Sequence, residues 1–425
     1  MTRTDAPHDL VDSLRRHCTE LETTDPDADS PALRAFDDAL GGVDVVGLGE
    51  ATHRTREFFA FKHRFVRYLV TVHGFRTFAL EASFSETVAL HDYVVHGRGD
   101  LQSILEDIGF QIYETEEMVA FLEWMRSFNE DRPLSGRVAV YGFDVQSAAG
   151  AAAALRAFFR ESDGERPPEG LLRTLDEVAD GVFEGEAVDR DRLRAAEHAA
   201  EDVADWFEHE REGDADTALA RQHLRTFRRA CEFARTGEEA DRAAQWGLRD
   251  RYMAETVDWI RERAPDDRVA VWAHNNHVKT GRLSGDGHPS ATMGEHLSRR
   301  YGSGYYALGA QFGRGAVRAY APTDGDGVEF DGTTLATTEL AVPAPEEGSV
   351  PELFARLEAP VALLDYRSLS EDSLLRSWLA EQRRHRYVAG VVDPAEDSAI
   401  CRCHAAADEF DGVFFVRSVG PSTPL

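Results

Sequence analysis

Two apolar runs that end in ionisable loops constrain this chain more than any other feature. The first, V43-D-V-V-G-L-G-E-A-T-H53, is a β-branched stretch that stops in glycines and then sets Glu50 and His53 three residues apart. The second, V269-A-V-W-A-H-N-N-H277, ends with His274 and His277 at the same spacing. Short apolar runs bounded in this way read as strands buried on both faces, as in a parallel sheet covered by helices. Ligands bind such sheets at the carboxyl ends of the strands. Two strand ends bearing one glutamate and three histidines therefore mark a candidate active site.

Similar runs predict strands at residues 77–80, 138–141, 305–308 and 361–364, with a last one in F410-D-G-V-F-F-V-R417. Between the first two strands, Phe58, Phe61, Phe65, Tyr68, Leu69 and Val72 recur at helical spacing, and Gly74 stops the helix. This is one βαβ unit. From about residue 148 strand signals vanish, and acidic, Arg and Ala residues alternate with scattered Leu, Phe and Trp. The expected organisation is a first part of an α/β core over 1–147, a helical insertion over 148–265 and a second part of the core over 266–425. The segment S162-D-G-E-R-P-P-E-G170 reads as a loop within the insertion, and G325-D-G327 and D331-G332 read as hairpin turns. The expected fold class is α/β, a three-layer α/β/α core with a mostly parallel sheet.

The chain of 425 residues has a formal net charge of -30, and its only lysines are Lys62 and Lys279. An acidic surface almost without lysine is expected of a halophilic protein, because carboxylates hold hydration and salt screens their repulsion. An acidic protein from a GC-rich genome would share the arginine bias. Nucleic acid is excluded as a partner, since phosphate binding needs a basic face. Four cysteines, Cys18, Cys231, Cys401 and Cys403, form no disulfide framework at this length. C401-R-C-H404 lacks a second ligand pair at zinc-finger spacing and reads as incidental. With no signal peptide and no apolar stretch of membrane-spanning length, a cytoplasmic protein without membrane contact is expected. Nothing in the sequence sets an oligomeric state.

The predicted strand ends collect further polar groups, Glu81 in F78-A-L-E81 and Asp144 in Y141-G-F-D144. Neighbouring strands lie about 4.8 Å apart, so these groups can meet. Histidine beside carboxylate suits acid–base chemistry near neutral pH. The same residue types can ligate zinc, although no HEXXH helix signature is present. Taken singly, Glu50 could cap the following helix, and the histidines could bond backbone carbonyls. There is no G-x-S-x-G elbow, no P-loop and no cysteine in a strand-end motif; G302-S-G304 precedes a strand rather than opening a helix. By elimination, a histidine that activates water is the leading chemistry. A metal-dependent hydrolase and a non-catalytic ligand-binding protein on the same scaffold stay open beside it.

The chain resembles the erythromycin esterase family through landmarks in order over most of its length. They are G47-L-G-E-A-T-H53, E57-F-F-x-x-K-H63, G74-F-x-x-F-A-L-E81, W124-M-R-x-F-N129, Y141-G-F-D144, R249-D-R-Y-M-A254, A273-H-N-N-H-V278, M293-G-E-H-L297, Y306-A-L-G309, E347-G-S-V350 and F410-D-G-V413. The resemblance implies the same three-layer core with a helical insertion. It further implies metal-independent hydrolysis of a macrolactone ester, without a cofactor, by water that a histidine matching His53 deprotonates. Glu50, Glu81, His274 and His277 match the family's other functional positions. The partner implied is a small ester or lactone, with Asp144, Tyr113 and Asn275 expected on its binding surface. In members that open macrolides an arginine stands where this chain has Lys62. Lys62 lies at the border of its helix's buried face, and its ammonium is expected to reach over the Glu50–His53 loop and stabilise the oxyanion of the reacting carbonyl.

Overall fold

Continuous apolar runs do become buried strands. A computed structural model describes residues 8–29, 31–109, 111–161, 167–179, 190–210, 215–238, 242–283, 290–323, 328–330, 333–388, 390–392 and 400–425. Its strands are β1 (Thr19–Leu21), β2 (Val45–Leu48), β3 (Thr77–Ser83), β4 (Ala139–Asp144), β5 (Val269–Trp272), β6 (Tyr305–Pro322), β7 (Val328–Phe330), β8 (Thr333–Val342), β9 (Val361–Asp365), β10 (Gln382–Arg386), β11 (Cys401–Ala405) and β12 (Gly412–Val419). The main sheet has the order β1-β9-β12-β6-β2-β5-β3-β4. The stretch from β12 to β4 is parallel throughout, while at one edge β9 pairs antiparallel with β12 and β1 antiparallel with β9. A mostly parallel α/β core is therefore what the chain forms.

Alternation along the strands divides the core into two layers. Val46, Leu48, Phe78, Leu80, Ala270 and Trp272 face one side, where the helix Arg56–Thr71 packs Phe58, Phe61 and Phe65. Val45, Ala79, Val269 and Val271 face the other, against Met253, Val257 and Ile260 of the helix Arg242–Arg261. The helices Ala149–Glu161, Glu169–Ala179, Arg190–Glu210 and Ala215–Glu238 enclose a separate core built on Leu155, Phe159, Leu172, Phe207 and Phe227. The predicted insertion ran to residue 265, but its last helix, Arg242–Arg261, packs on the sheet and belongs to the main core.

β6 is much longer than its predicted four residues. Only its first half is buried continuously; the second half alternates, and pairs antiparallel with β8 from Gly315 to Pro322. β6 is level with β2 at Leu308 and Leu48, so this arm extends past the carboxyl edge of the sheet. The expected turns at G325-D-G327 and D331-G332, and residues 162–166 of the expected loop, lie outside the described residues. Among the described residues no helix is long and apolar enough to cross a membrane.

Candidate active site

Register sets the height of the site. Leu48, Leu80 and Trp272 are neighbours across β2, β5 and β3, so Glu50 and His274 leave the sheet level with Glu81 near the end of β3. Gly49 makes the turn out of β2 possible: a Cβ there would lie 2.2 Å from the Asn275 Oδ1 and 3.0 Å from the Leu308 carbonyl oxygen. Arg54, just past His53, is held at φ 54°. A non-glycine residue in this left-handed region costs on the order of 1–3 kcal/mol, a strain found where surrounding structure dictates a loop's shape.

The Glu50 carboxylate is the hub of the first half of the site. Its Oε1 accepts from His53 Nδ1 at 2.6 Å, and its Oε2 accepts from Lys62 Nζ at 2.8 Å and Trp272 Nε1 at 3.0 Å. Burial alone would raise the Glu50 pKa, but the Lys62 ammonium and then His53 outweigh it and hold the acid below its usual range. Because Glu50 can only accept, His53 carries its proton on Nδ1 in the neutral form, which leaves Nε2 with a lone pair. The His53 side chain keeps 17% of its exposure, against 1% for Glu50 and 0% for Lys62.

The second loop places His274 beside His53, with ring centroids 5.2 Å apart. His274 caps the short helix Asn275–Val278: its Nδ1 accepts from the Asn276 backbone N–H at 3.2 Å. A ring nitrogen that accepts cannot carry the proton, so Nε2 bears it. Burial, then the neighbouring His53, depresses the His274 pKa to about 3. The ring is thus a neutral Nε2–H donor, and that Nε2 is buried and has no hydrogen-bond partner among the described residues. Leaving such a donor unsatisfied costs about 1–3 kcal/mol.

Behind these residues lies a buried ionic network. Arg249 grips Asp144 with Nε and Nη2 at 2.9 and 2.7 Å, and Nη2 also donates to Glu81 Oε1 at 2.8 Å. The other Glu81 oxygen accepts the His274 backbone N–H at 2.7 Å. Burial pushes the Glu81 pKa up, but His277 and Arg249 together hold the carboxyl well below the usual range. His277 Nδ1 faces Asp250 at 3.0 Å, and its Nε2 lies 3.0 Å from Arg249 Nη1 and 3.3 Å from Glu81 Oε1. Neutral His277 accepts from Arg249; protonated, it would donate to Glu81. Burial lowers its pKa, yet Asp250 and Glu81 raise it by more.

The structure brings Glu50, His53, Glu81, His274 and His277 together at the carboxyl edge of the sheet. Lys62 corrects the expectation made for it. Its ammonium is fully buried, bonded to Glu50 and 4.3 Å from the centre of the Trp272 ring, so it does not reach over the outer side of the loop. The helical angle was informative, but the depth of the helix under the loop was not contained in it. Asn275, expected against substrate, instead binds both the N–H and the C=O of Ala310 through its amide, and so ties its loop to β6. Asp144 is held by Arg249, and the Tyr113 hydroxyl donates to the Glu81 carbonyl oxygen at 3.1 Å. Sequence reasoning gave no role to Arg249, Asp250 or Trp272. The signal for the first two was present: Asp250 continues backward, at helical spacing, the buried stripe of Met253, Val257 and Ile260, where a charge requires a partner. Cys401 and Cys403 are free thiols on β11.

The profile of the erythromycin esterase family matches residues 70–419. Erythromycin esterase type II of Escherichia coli is 23% identical, over 82% of this chain and 86% of its own length. A putative hydrolase of Bacillus subtilis, YbfO, is 22% identical over 96% and 91%. Among solved structures, a Bacillus cereus protein superposes with a TM-score of 0.83 at 24% identity, covering 98% of both chains. The erythromycin esterase EreC, a mutant in its open conformation, superposes with a TM-score of 0.71 at 18% identity, over 95% of this chain and 98% of its own. The fold is shared along almost the whole length, and the chain belongs to the erythromycin esterase family.

Proposed function

We propose that this protein hydrolyses a carboxylic ester or lactone by water that His53 activates, without a metal ion. The single observation that carries this reading is the pairing of His53 and His274: one part-exposed ring whose Nε2 lone pair is fixed by the Glu50 bond to Nδ1, the other a neutral donor without a partner among the described residues. A water oxygen attacks the carbonyl carbon while its proton passes to His53 Nε2, and Glu50 stabilises the imidazolium so formed. The carbonyl oxygen becomes an oxyanion and accepts from His274 Nε2–H. The intermediate then collapses, the ester C–O bond breaks, and the leaving alkoxide takes the proton back from His53. Lys62 keeps Glu50 ionised rather than touching substrate.

The donor set supports the absence of a metal. Both oxygens of Glu50 and of Glu81, and both nitrogens of His277, are engaged within the protein, and among the described residues no group of three His, Cys, Asp or Glu is arranged to hold an ion. Relatives named for erythromycin suggest a lactone, while one similar structure is described as a succinoglycan biosynthesis protein (TM-score 0.81, 22% identity), so the screen must be broad. The deciding experiment measures hydrolysis of p-nitrophenyl esters and of small and macrocyclic lactones in molar salt, before and after dialysis against EDTA. Turnover that survives chelation is expected. Turnover lost on chelation and restored by zinc or manganese would replace the mechanism, and no turnover on any ester or lactone would remove the hydrolase reading.

A further inference from the structure

The β10–β11 hairpin delivers to the site a group that the mechanism above leaves unused. Tyr387 directly follows β10. Its backbone N–H donates to the Ile400 carbonyl at 3.0 Å, and the N–H of Val388 donates to the Ala51 carbonyl at 2.7 Å. The first bond ties the residue to its own hairpin, and the second ties it to the Glu50–His53 loop. Between these anchors the Tyr387 ring stands edge-on to His274, with centroids 5.0 Å apart and planes at 86°. The Arg402 guanidinium lies 5.2 Å from the centre of the same ring. Among the described residues the Tyr387 hydroxyl has no hydrogen-bond partner. Burial is the main cause that raises the phenol's pKa, and Glu81 and Asp250 add to it against Arg402, so the hydroxyl stays a donor at any ordinary pH.

We propose that Tyr387 is a catalytic residue whose hydroxyl donates a second hydrogen bond to the oxyanion, opposite the Nε2–H of His274. The inference rests on the hydrolase reading for its chemistry, but its geometry stands alone: two donors, each without a hydrogen-bond partner among the described residues, on adjacent rings beside His53. An oxyanion held by two preorganised neutral donors is the arrangement that acyl transfer commonly uses. The His274 backbone is held by Glu81 and its ring by the helix it caps; Tyr387 is held by Ile400, and the next residue, Val388, by Ala51.

The test separates this proposal from the reading beneath it. A series of monoethyl alkylphosphonates, methyl to octyl, supplies a stable tetrahedral oxyanion whose binding needs no turnover and is followed by calorimetry. Tyr387→Phe keeps the ring on His274 and removes only the hydroxyl. The wild type is expected to bind at least one phosphonate, and Tyr387→Phe to bind it about tenfold more weakly, the scale of one lost hydrogen bond to a charged group. On an ester that the wild type hydrolyses, Tyr387→Phe should lower kcat on the order of 10²-fold with KM nearly unchanged and the pH profile unmoved. Phosphonate binding that weakens in Tyr387→Phe, in a wild type that hydrolyses no ester, would uphold the two-donor site and reject the hydrolase reading. Ester turnover with wild-type kcat in Tyr387→Phe, equal phosphonate affinity in the two proteins, or a wild type that binds no phosphonate, would each overturn the role of Tyr387.

Discussion

The chain's only two lysines each build the same trio, and the two trios behave differently. Lys62 bonds the Oε2 of Glu50, whose other oxygen holds His53 Nδ1. Lys279 bonds the Oε2 of Glu409 at 2.6 Å, and that oxygen also holds His404 Nδ1 at 2.9 Å. Each histidine adjoins a second buried histidine whose Nε2 has no hydrogen-bond partner among the described residues, His274 in one case and His385 in the other. The difference is which member meets solvent. In the first trio it is the histidine, 17% exposed above a carboxylate at 1%; in the second it is the glutamate, 19% exposed, with His404 at 7%. Identical residue types thus leave a part-exposed histidine in one place, the base of the proposed reaction, and in the other make a tie between the loop after His277 and the 406–409 helix. Chemistry follows the direction of the free lone pair rather than the composition of the cluster.

The strongest way to break this comparison is to remove both histidines. On a confirmed ester substrate, His53→Ala should lose about 10²–10⁴-fold in kcat, the contribution of a positioned base, while His404→Ala should keep kcat within about twofold and lose stability as a buried-group deletion does. Equal losses of turnover would mean that the second trio also feeds the reaction.

Removing the lysines sharpens the comparison on stability. Lys62→Met leaves the buried Glu50 charge short of its cation and should cost about 3–5 kcal/mol in denaturant titration, as broken buried pairs do. Lys279→Met should cost less, about 1–3 kcal/mol, because Glu409 can turn to water. Burial, against the pull of Glu50, brings the Lys62 pKa down to about 8. Wild-type turnover should therefore decline as pH rises through about 8, where the ammonium beneath Glu50 begins to lose its proton. A pH–rate profile flat to pH 10 would detach Lys62 from the reaction.

Acid should act on both regions alike, with the smallest difference between them. Burial first, and then His53 for His274 and His404 for His385, holds each ring's pKa at about 3. Both folded values lie below the unfolded value near 6.5. The stability they contribute is therefore complete above pH 6.5 and is lost as pH falls toward 3, at about 1.4 kcal/mol per pH unit for each ring. Urea titrations between pH 7 and pH 5 should show this slope, and His385→Asn should reduce it by about one ring's share. An unchanged slope would show that His385 is protonated without cost.

Much of the fold was legible because parallel strands buried on both faces need continuous apolar sequence. Val269 to Trp272 could be read to the residue for that reason. The far half of β6 was missed because its alternating pattern follows pairing with β8 beyond the sheet, a partner the local sequence does not name. The strand-end residues Glu50, His53, Glu81, His274 and His277 were legible from position alone. The depth of Lys62, the use of Asn275 on Ala310 and the approach of Tyr387 were not. Each depends on contacts with residues far along the chain.

The amino-acid sequence by itself determined where the parallel strands of the central sheet begin, that their ends carry carboxylates and histidines, and which family's landmarks they match. Those properties are local: they follow from side-chain character and spacing of two, three or four residues. Only the tertiary structure decided that Glu50 lies between Lys62 and His53, that the His274 Nε2 has no partner among the described residues, and that a tyrosine more than a hundred residues further on stands edge-on to it. Those properties are non-local, because a hydrogen bond's partner is set by sheet order and loop closure, and neither is written in any short stretch of the chain.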